Sequence, residues 1–127
     1  MIISNPTARL GEEIATKYLQ KLGYKIIERN FREGYGEIDI IAIDIDTLVF
    51  IEVKTRTSNK FGTPFESITP YKIKALERTA QYFKKLNPKL PDALRIDAVA
   101  VTLDSFENVS NIELVKKLKN NSLPWKL

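Results

Sequence analysis

Four side chains that could do chemistry fall on two neighbouring strand-like segments in the middle of the chain. The first segment contains Glu37 and Asp39, and the second contains Glu52 and Lys54. Because side chains alternate along a strand, the two members of each pair share a face. Carboxylates in this arrangement can bind a hard divalent cation, and a lysine beside them can orient a water molecule or balance charge on a phosphate.

The turn between the two strands predicts which acids lie opposite each other. If Ile43 pairs with Leu48, the same register places Asp39 across from Glu52, with Cβ atoms about 4.5–5.5 Å apart. A bulge would shift this register. Opposed like charges destabilise a strand pair, and both acids are embedded in apolar strands where unpaired charges are rarely tolerated. The pair therefore needs a proton, a nearby cation or a metal ion.

Two carboxylates and a backbone carbonyl form part of the octahedral oxygen cage that holds Mg²⁺ or Mn²⁺. The same register places Glu37 opposite Lys54, so these two side chains could form an ion pair. An isolated Glu-x-Lys is more often a solvated face or a cross-strand ion pair than a catalytic site. Because these acids lie in apolar strands, a functional site is about as well supported here as an ordinary ion pair. The residues alone leave both interpretations open.

The composition limits the available chemistry to the same residue types. The chain has 127 residues, 20 Lys plus Arg against 16 Asp plus Glu, and neither Cys nor His. These absences exclude a zinc finger, a disulfide framework, a thiol nucleophile and a Ser-His-Asp triad. Any bound metal should be a hard ion with oxygen ligands. The net charge of +4 is a mild indication of an anionic partner.

The length fits one domain spanning residues 1–127. No stretch approaches the roughly 20 apolar residues that cross a membrane. Residues 1–6 lack the basic and apolar parts of a signal peptide. We therefore expect a cytoplasmic protein with no membrane partner.

Two helices and four strands are predicted to position the acids. One helix should begin with Asn5 as N-cap and end near Gly23, and a second should run from Thr69 as N-cap to about Asn87. Strand patterns cover residues 24–31, 37–43, 48–54 and 94–103. The basic end of the chain, from residue 111, could be strand or helix.

The first helix brings a further acid into consideration. Gly11 falls in the middle of its apolar stripe, where a missing side chain would let the helix sit close on a sheet. Glu12 lies on the flank of that stripe, whereas Glu13 points well away from it. Glu12 is therefore the acid that could lean over a neighbouring sheet.

The order Asp39, then Glu52-Val53-Lys54, resembles the acid…acid-x-Lys motif of the PD-(D/E)XK nuclease superfamily. More closely, the chain resembles the YraN family of small bacterial proteins over about residues 7–103. The segments that carry this likeness include GEIDIIA at 36–42, LVFIEVKTR at 48–56, Lys72 and Arg95-Ile96-Asp97. The resemblance implies a restriction-endonuclease-like α/β core over about 5–104, with a mixed sheet flanked by helices in the order α-β-β-β-α-β. Residues 105–127 would then be a basic C-terminal extension.

The resemblance also implies roles for individual residues. The positions matching Asp39 and Glu52 bind Mg²⁺ or Mn²⁺, helped by the main-chain carbonyl of Val53, and Lys54 acts on the attacking water or the phosphate. In related Holliday-junction resolvases an acid on the first helix completes the site, and Glu12 matches that position. Glu37 matches a characteristic YraN position without an assigned chemical role.

These features together predict an endonuclease that uses Mg²⁺ or Mn²⁺ to hydrolyse DNA, with branched or junction DNA suggested by the resolvase likeness. Expected phosphate contacts are Thr55, Arg56, Lys60 and Lys72, and Arg95 with Asp97 should form a structural ion pair. Related resolvases are dimers, so the resemblance allows a homodimer. Two alternatives stay open: a non-catalytic nucleic-acid-binding module with the same fold, and a protein-interaction domain whose acids are structural.

Overall fold

The computed structural model describes residues 5–33, 36–57 and 64–119. A five-stranded mixed sheet in the order β1-β2-β3-β4-β5 has helix α1 on one face and helix α2 on the other. The elements are α1 (Pro6–Lys21), β1 (Lys25–Glu33), β2 (Gly36–Asp44), β3 (Thr47–Arg56), a 3₁₀ helix (Pro64–Ser67), α2 (Pro70–Leu86), β4 (Ala93–Leu103) and β5 (Val109–Val115). This α/β architecture confirms the predicted fold class and is compatible with a restriction-endonuclease-like core. Within the described ranges, neither helix is long and apolar enough to cross a membrane.

The helices begin and end where local capping signals predict. Asn5 accepts a hydrogen bond from the backbone N–H of Thr7, and Thr69 accepts one from the backbone N–H of Lys72. In each helix a proline follows the N-cap, where its missing N–H costs nothing. Gly23 follows the end of α1 with φ of +98°, a conformation that glycine adopts without strain.

The sheet combines an antiparallel meander with one parallel crossover. Strands β1, β2 and β3 pair antiparallel, and α2 then carries the chain to β4, which lies parallel to β3. The predicted register between β2 and β3 is confirmed from Ile43–Leu48 to Ile40–Ile51. The predicted order α-β-β-β-α-β lacked one element, because the ambiguous end of the chain contributes β5, antiparallel to β4. The predicted C-terminal extension is therefore partly an edge strand of the sheet.

The sheet separates two apolar clusters. Toward α2, Phe83 packs edge-on against Phe31 and Phe50, with ring centroids 5.0 and 5.9 Å away. Toward α1, the buried residues include Leu19 and Val49. Strand β3 contributes to both clusters, which explains its nearly continuous apolar sequence.

Strands β1 and β2 both change face at one point. Arg29 reaches α1, whereas Phe31 packs against α2, although regular alternation would place both on one face. Between them, Asn30 has φ of +55°. On the facing strand, Ile38 belongs to the α2 cluster and Ile40 to the α1 cluster. The irregularity lies between these two pairs, at the level of the predicted acid on β2.

A buried polar network lies toward the opposite end of β2, on the α1 side of the sheet. Asp97 is fully buried and accepts hydrogen bonds from the Tyr24 hydroxyl, the Arg95 guanidinium and the backbone N–H of Lys117. Arg95 also donates to Asp44 at 2.7 Å. The network joins the start of β1, the end of β2, β4 and the segment after β5, which confirms the predicted structural ion pair between Arg95 and Asp97.

Candidate functional site

Strands β2 and β3 separate at the acids. Their ladder ends at Ile40–Ile51, beyond which β2 continues along β1 and β3 continues along β4. We call this opening, between Asp39 of β2 and residues 52–54 of β3, the fork. Within it, the Oδ2 atom of Asp39 accepts a hydrogen bond from the backbone N–H of Val53 at 2.8 Å. Asp39 and Glu52 are therefore not backbone partners as the simple register predicts, but both line one cavity of about 270 Å³.

Asp39 is a carboxyl group in an environment that disfavours its charge. Burial, together with the nearby charge of Glu52, raises the pKa of Asp39 from its usual 3.8 to about 7. The N–H of Val53 opposes this rise without cancelling it. Asp39 therefore holds a proton more tightly than an exposed carboxyl does, chiefly because burial penalises its charged form.

Glu52 is nearly fully buried and is held by two lysines. Its Oε2 atom lies 2.6 Å from Nζ of Lys72 on α2 and 3.4 Å from Nζ of Lys54 on its own strand. Burial lowers the pKa of Lys54 below its ordinary value. Burial also lowers the pKa of Lys72, but the hydrogen bond to Glu52 outweighs it and raises that pKa overall.

Among the described residues, Glu12 lies near the fork but is not grouped with two other acids closely enough to bind a metal ion with them. It lines a groove of about 910 Å³ together with Glu37 and Asp39, and its charge contributes to the raised pKa of Asp39. Its Oε1 atom, however, lies 3.4 Å from Nη2 of Arg29 on β1. Within residues 5–33, 36–57 and 64–119, no three acids are grouped closely enough to hold a metal ion. Glu12 is thus paired with Arg29 in this structure, and metal ligation by Glu12 stays a prediction.

Glu37 does not pair with Lys54 as the register suggested. Its Oε1 atom lies 3.3 Å from Nε of Arg32 on the adjacent strand. The fork explains the difference, because Lys54 follows β3 toward β4 while Glu37 stays with β1. Glu37 still lines the cavity shared by Asp39 and Glu52.

The four expected phosphate contacts lie in different settings. Thr55 packs directly beneath Gly11 of α1, so its side chain contributes to helix–sheet packing. Arg56 ends β3, and Lys72 lies against Glu52. Lys60 falls outside the described residues. Phosphate contact by Thr55, Arg56 and Lys72 stays a prediction, as does metal ligation by the carbonyl of Val53.

The donor set fits a hard divalent cation. Asp39 and Glu52 offer only carboxylate oxygens. Burial and the neighbouring charge of Glu52 disfavour the charged form of Asp39, and a bound dication would favour it. The shared cavity of about 270 Å³ is several times the volume of one water molecule, about 30 Å³. Mg²⁺ in proteins is often bound by one or two carboxylates and several water molecules.

Comparison with known proteins assigns the family. A family model described as "Uncharacterised protein family UPF0102" matches residues 11–101, a range that includes all the acids and lysines of the fork. The chain belongs to this family. A UPF0102 protein of Syntrophomonas wolfei is 43% identical over 80% of this chain and 88% of its own length. Those of Caldicellulosiruptor saccharolyticus and Chlorobium limicola are 46% and 48% identical, over 84% and 79% of this chain and 90% and 78% of their own lengths. The resemblance to small YraN-like bacterial proteins is thereby confirmed.

Sequence reasoning missed two contributors to the site of this UPF0102 protein. The sequence predicts a phosphate contact for Lys72 but not its ion pair with Glu52, which is shorter than that of Lys54. One sequence feature indicates this ion pair: Lys72 lies in the first turn of a helix, where the macrodipole disfavours a positive charge unless a carboxylate is near. Arg29, which holds Glu12 and Glu13, gave no comparable signal, because its direction depends on the left-handed Asn30.

Proposed function

We propose that this protein is an endonuclease of the PD-(D/E)XK superfamily that hydrolyses DNA phosphodiester bonds with Mg²⁺ or Mn²⁺. The observation that carries the proposal is the strand fork itself. Two strands separate to leave Asp39 and Glu52 on one cavity, with Lys54 beside them at 3.4 Å from Glu52. An ordinary cross-strand ion pair needs neither a separated ladder nor a carboxyl whose pKa is raised to about 7.

The residues of the fork divide the work of phosphodiester hydrolysis. Asp39 and Glu52 would hold the cation, which when bound supplies Lewis-acid activation of water and charge neutralisation at the phosphate. The N–H of Val53 fixes the Asp39 carboxylate in one orientation. Lys54 extends from the same strand as Glu52, and its Nζ atom lies 3.4 Å from the Glu52 carboxylate. Its ammonium can therefore donate hydrogen bonds to the attacking water or to the charge that develops on the phosphate oxygens.

The remaining assignments extend this centre to the substrate. We propose that Lys72, which lines the cavity beside Glu52, and Arg56, at the end of β3, contact phosphates that flank the cleaved bond. The resolvase-like acid…acid-x-Lys arrangement makes branched DNA the first substrate form to test, and it also suggests testing for a homodimer.

The test is a cleavage assay on linear, flapped and four-way DNA with Mg²⁺, Mn²⁺ or EDTA. Wild-type protein should cleave at least one form in a metal-dependent manner, and Asp39→Asn and Glu52→Gln should each lose at least about 100-fold in rate. Asp46→Asn is the matched control, because Asp46 is exposed at the other end of the same hairpin. If the variants of the fork cleave as fast as the control variant, the assigned centre is wrong.

One observation favours a second candidate function. Lys72 and Lys54 already neutralise Glu52 within the chain, so the fork can exist without a metal ion. A non-catalytic nucleic-acid-binding module with the same fold would have this property. It predicts DNA binding that is unchanged in EDTA, and no cleavage with any divalent metal.

A further inference from the structure

Lys72 occupies a position that helix energetics alone disfavours. It is the third residue of α2, and its backbone N–H is capped by Thr69 at 3.1 Å. A positive charge in the first turn of a helix opposes the macrodipole. The compensating partner is Glu52, whose Oε2 atom lies 2.6 Å away. The location of Lys72 is therefore explained by the carboxylate and not by the helix.

The two lysines on Glu52 differ in their freedom to move. Lys54 extends from a central strand, two residues from the carboxylate it contacts, and its side chain is 24% exposed. Lys72 reaches the same Oε2 atom from a helix on the other side of the cavity, and its side chain is 41% exposed. Because it is the more exposed of the two and extends from the helix, Lys72 can move into solvent more readily than Lys54.

We propose that Lys72 is a built-in counter-ion that occupies the cation position on Glu52 until a divalent cation displaces it, an inference that rests on the proposed function. The ammonium and the cation need the same carboxylate in the same cavity, so the Lys72–Glu52 ion pair and cation binding exclude each other. Lys72 acts through Glu52 and is thus a positioning residue. Once displaced, its ammonium remains at the cavity edge.

This competition has a thermodynamic signature that a merely structural lysine lacks. Without a cation, Lys72 stabilises the fold by compensating a buried carboxylate. With a cation, the same ion pair must be broken, so its stabilisation is subtracted from the binding free energy. Removing Lys72 should therefore lower stability in EDTA while increasing the stabilisation that a cation provides.

The experiment compares wild type, Lys72→Gln, Lys72→Arg and Lys74→Gln by thermal unfolding and by calorimetric titration with Mn²⁺. Lys74 is an exposed residue of the same helix turn, so its variant loses the same charge without losing the contact to Glu52. Lys72→Gln should unfold at a lower temperature in EDTA, bind Mn²⁺ about fivefold or more tightly, and show a larger Mn²⁺-induced rise in melting temperature. Lys72→Arg, which keeps the competing charge, and Lys74→Gln should resemble wild type.

Three outcomes would overturn the inference. Equal or weaker Mn²⁺ binding by Lys72→Gln, with wild type binding normally, would reject the competition while leaving the proposed function intact. An equal gain in Lys74→Gln would show that overall charge, and not the Glu52 contact, controls affinity. No Mn²⁺ binding by any of the four proteins would reject the cation site itself, and the proposed function with it.

Discussion

Gly11 is the position where one added methyl group should disturb the placement of α1 over the sheet. A Cβ atom at residue 11 would overlap Oγ1 of Thr55 and lie 2.7 Å from its Cγ2 and 2.8 Å from its Cβ. Rotating the Thr55 side chain could move Oγ1 and Cγ2, but it cannot move Cβ. Gly11→Ala therefore forces α1 to retreat from β3, and with it the adjacent Glu12.

The magnitude follows from two opposing effects. Overpacking a well-packed site costs about 1–3 kcal/mol of stability. Replacing glycine by alanine inside a helix returns about 1 kcal/mol through helix propensity. Because every atom in the clash belongs to a strand residue under a helix, we expect the packing cost to exceed that gain. The net loss should be up to about 2 kcal/mol, which corresponds to a fall in melting temperature of up to about 8 °C for a domain of this size.

A double-mutant cycle measured by chemical unfolding tests this geometry. In a Thr55→Ala background two of the three clashing atoms are gone, so Gly11→Ala should cost about 1 kcal/mol less than in wild type. Gly23→Ala is the control, because it is strained by its φ of +98° and has nothing within 4 Å to clash with. Its cost should be the same in both backgrounds. A neutral or stabilising Gly11→Ala, or one that Thr55→Ala does not relieve, would refute the close approach of α1 to β3.

Three further predictions concern the charged groups. In EDTA, the free energy of unfolding should fall as the pH rises from about 4 to about 7, because the folded state binds the Asp39 proton more tightly than the unfolded chain does. The pKa of Asp39 is raised from 3.8 to about 7, so the contribution of this proton to stability is up to about 4 kcal/mol. Asp39→Asn should reduce this pH dependence. If chemical denaturation shows the same pH dependence in Asp39→Asn as in wild type, protonation of Asp39 is not its cause. Asp97→Ala should cost about 3–5 kcal/mol, because it removes a fully buried carboxylate from Arg95 and takes the acceptor away from the Tyr24 hydroxyl and the N–H of Lys117. Asp92→Ala, at a side chain that is 97% exposed, should fall within about 0.5 kcal/mol of wild type, and similar losses in both variants would contradict the network. Lys54→Met should lose at least about 100-fold in DNA cleavage yet still bind Mn²⁺ by calorimetry, and loss of both would reassign Lys54 to holding the cation site together.

The sequence predicted most of the elements because their signals are local. Asn5 and Thr69 mark helix starts through contacts within three residues, and the hairpin turn set the register that runs from Ile43–Leu48 to Ile40–Ile51. Helical periodicity alone predicts that Gly11 lies on the face of α1 that packs on the sheet, and its close approach to Thr55 confirms this. The last strand was ambiguous because β5 is a largely exposed edge strand, whose sequence lacks a strong apolar period.

The candidate site was predicted in its residue types but not in its geometry. The fork at Asp39 depends on β3 following β4, a parallel pairing between distant parts of the chain that no local pattern reveals. The direction of Arg29, which lies 3.4 Å from Glu12, depends on the left-handed Asn30 next to it. The contact of Lys72 with Glu52 requires the docked position of α2, which only the packed core determines.

Calorimetric titration of Mg²⁺ or Mn²⁺ into wild type and Glu52→Gln tests most directly whether the forked strands hold a divalent cation. The carboxylates of Asp39 and Glu52 line one cavity, and burial raises the pKa of Asp39, so a bound cation would favour its charged form. Wild type should therefore bind the cation at a saturable site, and Glu52→Gln should lose that binding while remaining folded. Equal binding by both proteins, or no binding by a folded wild type, would contradict the account.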